Sequence, residues 1–306
     1  MSTSELSGGT MPAIPYTKGV YRHILNPPGQ AAARLVDPQE QWFINDHCFY
    51  VARDGIIHWF GITNPYPKEG GLYGHGTHRH IGHATARHPF GPWQEHADAL
   101  TRPEGKTDNI GASFVVEHGD GWLMLFCYNT GFRFARSTNL YHWEEDPSIE
   151  RIVLGVGTRD PCIVCLDDGT YLLYGVAAHD DLGVVVLATS RDLVHWHLEA
   201  PVLRSDSRVD YGALESVCVI RRGDWYYLFV NHSHHQYAET LVFASLDPRC
   251  FEWRTPLCTL FGHASKVWAF EDTTYISHCG IEDRHWSDVG APYGLYLAEL
   301  GWLAQT

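Results

Sequence analysis

The sequence predicts an all-β protein, a single five-bladed β-propeller, and three observations lead there. A hairpin grammar recurs, in which a turn dipeptide is followed by an apolar strand: DGIIHWFGI from Asp54, DGWLMLFCY from Asp120, DGTYLLYGV from Asp168, GDWYYLFVN from Gly223 and EDTTYISHC from Glu271. Alternation of apolar and polar residues on both sides of an Asp-Gly turn is a strong short-range hairpin signal. A second segment ends each repeat in tryptophan, at Trp93, Trp143, Trp196, Trp253 and Trp302. A spacing of about 50 residues leaves room for about four short strands, the content of one propeller blade. Finally, no stretch sustains a helical period with a cap at each end. The tryptophans are expected to pack between neighbouring blades.

Residues 1–30 are polar, rich in Gly and Pro and without periodicity. They read as an extended arm outside a propeller domain spanning 31–306, with a strand near the N-terminus able to complete the last blade. Blade one opens with QWFINDHCFYVARDGIIHWFGITNP, Gln41 to Pro65, a hairpin that puts Asp46 at or near the start of its first strand. The corresponding places in later repeats hold Asp108 to Ser113, then Thr158-Arg159-Asp160-Pro161, then Leu214-Glu215-Ser216, and His263 in blade five. Asp46, Asp160 and Glu215 thus stand in matching places of three repeats. Innermost strands of a propeller converge on the mouth of its central channel, so pseudo-symmetry directs the three carboxyls into one funnel. A single charge before an apolar strand is ordinary solvated loop chemistry; three in register are not.

The chain has 306 residues and a formal net charge of -14. That surplus disfavours a nucleic-acid backbone or an anionic membrane as partner. No apolar run approaches a membrane span. The N-terminal MSTSELSGGTMPAIPY lacks the basic start and apolar core of a signal peptide, so a cytoplasmic location is expected. Eight cysteines are scattered; Cys162 and Cys165 form the one CxxC, inside an alternating strand where residues three apart face opposite sides. Buried reduced thiols are expected. The twenty histidines, among them His75, His78, His80, His83, His232, His234 and His235, show no zinc-ligand spacing on a helix, and neither metal nor cofactor is expected.

Trp42-Phe43-Ile44-Asn45-Asp46 with Asn64-Pro65, the segment from His80 to Leu100, Arg159-Asp160-Pro161 and Glu215 occur in an order that resembles glycoside hydrolase family 32, the β-fructofuranosidases. The related family 43, arabinofuranosidases and xylosidases, shares the five-bladed fold and three carboxylates. The resemblance runs from about residue 35 to 302 and implies roles. Asp46 would be the nucleophile, Asp160 the transition-state stabiliser and Glu215 the acid/base; in a family-43 enzyme Asp46 would instead be a base activating water. One carboxyl must be protonated and another ionised, so their surroundings must push the pKa values apart. Arg159 beside Asp160 would favour its ionised form or anchor a hydroxyl.

Trp42, Asn45, Arg159, Ser113, His263 and His278 are the expected substrate-binding residues, with Trp42 the foremost stacking wall and Trp286 and Tyr293 further candidates. A channel cation near His278, as in some family-43 enzymes, is the alternative use of that histidine. The sequence departs from family 32 at His47-Cys48-Phe49, where Pro-Asn-Gly is usual, and at Ser216, where Cys is usual. The expected activity is hydrolysis of a small furanoside with retention. An inverting arabinofuranosidase- or xylosidase-like hydrolase and a transglycosylating or cyclising enzyme are the alternatives, while a sugar-binding propeller without turnover would not need all three carboxylates.

Overall fold

The computed structural model describes residues 11–66, 78–102, 108–129, 131–208, 214–232, 239–279 and 294–305. Strands dominate, and among the described residues the one helix is the short Gln30–Ala33. Five antiparallel sheets follow one another along the chain, each beginning at its innermost strand. Those inner strands are Trp42–Val51, Ile110–His118, Val156–Cys165, Leu214–Arg222 and Lys266–Phe270. The turn dipeptides join each to its second strand; at the first of them the Ile56 amide donates to Asp54 Oδ1 at 3.0 Å, closing the hairpin.

The core lies between blades, in five apolar clusters. Cys48, Phe60, Met124 and Phe126 join blades one and two around Trp143, and Phe134, Leu173 and Val186 join blades two and three beside Trp196. Tyr174, Leu228 and Phe243 join three and four beside Trp253, and Phe229, Ile276 and Leu300 join four and five beside Trp302. Leu25, Ile44, Trp59 and Leu295 close five onto one beside Trp93. Each tryptophan therefore packs at a blade interface, as its spacing predicts. Trp143 and Trp196 also donate their indole N–H to Leu140 and Leu193 carbonyls, at 3.0 and 3.1 Å.

Within the segment read as an arm, Ile14–Leu25 is a twelve-residue strand. It pairs with Leu295–Leu303 and becomes the outer strand of blade five, so the first and last described strands close the ring together. The cysteines are free thiols: Cys162 is buried and Cys165 exposed, on opposite faces of their strand as alternation requires.

A bulge interrupts four inner strands at the same depth. Ile44 pairs with Thr63 and His47 with Gly61, so Asn45 and Asp46 together oppose one residue. The same two-against-one count sets Ala112-Ser113, Asp160-Pro161 and Ser216-Val217. Ala112, Asp160 and Ser216, the first residue of each pair, have φ of 39°, 60° and 58°. Proline at the second place of one pair is tolerated because a bulged residue leaves the ladder.

Candidate active site

The bulges place the carboxyls, and they correct one expectation. Asp46, Asp160 and Glu215 do not occupy equivalent positions: Glu215 precedes its bulge, Asp160 is the first bulged residue and Asp46 the second. Nor do they stand before their strands; Asp46 lies fifth in Trp42–Val51, and the other two lie inside Val156–Cys165 and Leu214–Arg222. Successive strand residues point to opposite faces, and a bulge resets that alternation, so the place of each carboxyl relative to its bulge sets the face it takes.

Ser216 ties them together. Its hydroxyl donates to Asp46 Oδ1 at 2.5 Å, and its backbone N–H donates to Asp160 Oδ2 at 2.6 Å. Arg159 grips Glu215 with both prongs, Nε to Oε2 at 2.7 Å and a terminal nitrogen to Oε1 at 2.6 Å. The remaining guanidinium donors hold the carbonyls of Gly157 at 2.9 Å and Leu214 at 2.7 Å, so the fork is fixed to two inner strands. Arg159 Nε stands 3.9 Å from Asp160, so its principal partner is Glu215 rather than the neighbour in sequence.

Asp46 and Asp160 are buried, and Glu215 is the most accessible, with 15% of its side chain exposed. Burial pushes the Glu215 carboxyl up to about 7; Arg159 opposes this, and the charge of nearby Asp160 adds to it. Burial, then the charge of Asp46, raises Asp160 to about 6. Asp46 is raised by burial and drawn back by Lys266 and the Ser216 hydroxyl.

The other expected residues sit in a second ring. The carbonyl oxygen of the Asn45 side chain accepts from Cys279 Sγ at 3.7 Å, and Cys279 Sγ lies 3.5 Å from His263 Nδ1. His278 is stacked on Tyr296 at 5.0 Å, edge-on to Tyr21 at 4.5 Å, and burial lowers it to about 4. Ser113 donates to the Phe60 carbonyl at 3.3 Å and faces the blade one–two interface. The Trp42 ring packs over Gly29, beside the short helix, with His80 at 5.6 Å. Trp286, Tyr293, His75, His234 and His235 lie outside the described residues. Among the described residues, no group of three or more His, Cys, Asp or Glu side chains is arranged to hold a metal ion.

Two contributors escaped the sequence reading. Ser216 was visible only as a departure from the family-32 pattern. Lys266 opens the blade-five inner strand, in step with Cys162 and Cys218, two residues past a left-handed residue (Ala264, φ 51°) as they are. A lysine at a place where other repeats put buried thiols was the available signal.

No family model matches the chain, and no curated protein matches it. Solved structures do. A family-43 β-xylosidase/α-arabinofuranosidase from a compost microbial metagenome, in complex with xylotriose, is similar at 15% identity and a TM-score of 0.60, over 94% of this chain and 96% of that one. The Bombyx mori family-32 β-fructofuranosidase is similar at 18% identity and a TM-score of 0.62, over 93% of this chain and 62% of that one. An α-L-arabinanase of Cellvibrio cellulosa, complexed with arabinohexaose, is similar at 12% identity and a TM-score of 0.58, over 86% and 95%. The likeness is one of fold, the five-bladed propeller.

Proposed function

We propose that this propeller is a glycoside hydrolase acting on a small furanoside, with Glu215 as acid/base, Asp46 as nucleophile and Asp160 as the group that orients the sugar and stabilises its positive charge. The observation that carries this reading is the meeting of the Asp46 and Asp160 carboxyls at Ser216, with the neighbouring Glu215 gripped by Arg159 and its carboxyl pushed up to about 7. Glycosidic cleavage builds oxocarbenium character on the sugar and negative charge on the leaving oxygen. Glu215 gives its proton to that oxygen. Asp46, whose charge the Ser216 hydroxyl and Lys266 favour against burial, attacks the anomeric carbon and displaces the leaving group. Glu215, now ionised, takes a proton from water, which attacks the glycosyl–Asp46 ester and releases the sugar with its configuration retained. The order of the Trp42–Asp46, Arg159–Pro161 and Glu215 motifs supports the furanoside class and retention.

Aryl furanosides and pyranosides tested side by side, with NMR of the first-formed anomer, examine this directly. The furanosides are expected to turn over with retention. Glu215→Gln is expected to slow unactivated substrates by about 10²–10⁴-fold and aryl glycosides far less, because a good leaving group needs no proton. Equal slowing of both would remove Glu215 as the acid, and an inverted first product would make Asp46 a base for water.

A further inference from the structure

A cavity of about 500 Å³ opens where the hairpin turns of blades one and two meet, lined among others by Arg53, Asp54, His58, Asp120, Trp122 and Tyr141. That volume is in the range of small-molecule sites. Asp54 and Asp120 belong to the turns that lead from the inner strands Trp42–Val51 and Ile110–His118 to the second strands of their blades. Five strand steps separate Asp46 from Val51, a rise of about 16 Å, so the cavity stands at the far end of the strands from the carboxyl centre.

Arg53 is committed to Glu117, donating from Nε at 3.2 Å and from a terminal nitrogen at 2.8 Å, which leaves Asp54 and Asp120 as the unbalanced charges of the lining. His58, 2% exposed, is fixed from behind: its Nδ1 lies 3.0 Å from Nε2 of the fully buried His83. Tyr141 stands edge-on to both rings, at 5.4 and 5.2 Å. Burial holds both imidazoles neutral, at about 4 and about 2, so one proton lies between the two facing nitrogens. His83 Nδ1 is buried with no partner among the described residues. A bare lone pair is the cheaper orphan there, because buried N–H groups without an acceptor are the rarer case. His83 therefore carries its proton on Nε2 and donates to His58 Nδ1, which puts the His58 proton on Nε2. That N–H has no acceptor among the described residues, on a side chain that lines the cavity.

What these groups need selects the occupant. The His58 N–H needs an acceptor, and an ammonium ion has none. Two uncompensated carboxylates repel a phosphate or carboxylate ligand. A polyol satisfies both, since each hydroxyl can give one hydrogen bond and take two. Rings such as those of Trp122 and Tyr141 suit the apolar faces of a sugar. We propose that this cavity is a second saccharide-binding site, apart from the carboxyl centre: His58 Nε2–H donates to a sugar hydroxyl, and the carboxylates of Asp54 and Asp120 accept from its neighbours. The site does not depend on the hydrolase reading, because a propeller without turnover would keep it.

The test uses the isotope-labelled full chain carrying Asp46→Asn, which stops the proposed hydrolysis and leaves the cavity intact. NMR of the imidazole nitrogens is expected to show the His58 proton on Nε2. Titration with xylotriose, arabinotriose or sucrose is expected to move the His58 signal with a Kd of about 1 mM or below for at least one of them. Adding Asp54→Asn and Asp120→Ala together is expected to weaken that Kd by at least about tenfold. Both variants are expected to fold, since Asn keeps an oxygen for the Ile56 amide and Asp120 is exposed. In the otherwise wild-type chain they should leave aryl-glycoside hydrolysis unchanged. A His58 proton on Nδ1 overturns the proposal, as does an unchanged Kd in the carboxylate variant. A His58 signal that no sugar moves, or that spermidine or inorganic phosphate moves at a lower concentration than any sugar, overturns it too. A wild type that cleaves no glycoside, with His58 still responding to sugar, would remove the hydrolase reading and leave this site standing.

Discussion

Asp160 and Glu215 hold their protons more tightly in the folded protein, at about 6 and about 7, than carboxyls in an unfolded chain do. A raised carboxyl pKa means that the native state binds more protons, so what these two groups contribute to stability is greatest at acid pH and is lost as pH rises from about 4 toward 7. The site is thus charged at the expense of the fold. Asp160→Asn, whose amide oxygen can still accept the Ser216 N–H, should gain on the order of 3 kcal/mol in denaturant unfolding at pH 8. The gain should shrink toward pH 4, and activity should fall by roughly 10²–10³-fold. Arg159 acts in the opposite sense on Glu215, pulling its pKa down against burial. Arg159→Gln should move the basic limb of kcat/KM upward by about one pH unit, because the acid then keeps its proton to higher pH. A pH–rate profile checks this, and a limb that falls instead would mean that Arg159 is not what holds Glu215 down.

At the level of the strands, the bulge is the device that turns a repeated scaffold into an asymmetric site. Gly175 is the residue opposite Asp160-Pro161. A Cβ there would meet Phe132 Cζ at 2.8 Å and the Arg159 carbonyl at 3.0 Å. Gly175→Ala should cost about 1–3 kcal/mol through overpacking and should also lower kcat/KM, since the displaced carbonyl belongs to the residue that grips Glu215. Gly169 is the contrast. It sits in a hairpin turn with φ +78° and nothing within 4 Å of its Cβ position. Gly169→Ala should cost roughly 1 kcal/mol of backbone strain and leave the kinetics unchanged. Unfolding and kinetics measured on both variants separate the two roles.

For the whole molecule, closure is the decisive event. Ile14–Leu25 pairs with the last strand, Tyr21 donates to the Phe261 carbonyl at 2.8 Å, and Cys258 reaches the Pro15 carbonyl at 3.6 Å. The N-terminal strand thereby covers blade five, whose cluster with blade one contains Leu25. Deleting residues 1–25 should lower the calorimetric melting temperature by at least about 10 °C, since each kcal/mol moves a protein of this size by only a few degrees. An unchanged melting temperature would mean that the ring holds without its latch. Asp46, which belongs to the adjoining blade, should lose activity in step with the stability.

Blade number, hairpin turns and interface tryptophans were legible in the sequence because each is written locally, in period-two alternation and in a repeat that recurs about every 50 residues. The residue types of the site were legible too: Asp46, Asp160 and Glu215 meet. How they meet was not, because a bulge is invisible to alternation and equivalence was inferred from the repeats alone. The packing of the Trp42 ring on Gly29, 13 residues earlier in the chain, was not legible either. Ser216, which joins Asp46 across 170 residues of chain, and Lys266, which reaches Val217 across 49, depend on which strands face one another around the axis. Local pattern determines what each strand is. Only closure of the ring decides which side chains share a desolvated centre, and it is desolvation there that raises the carboxyls.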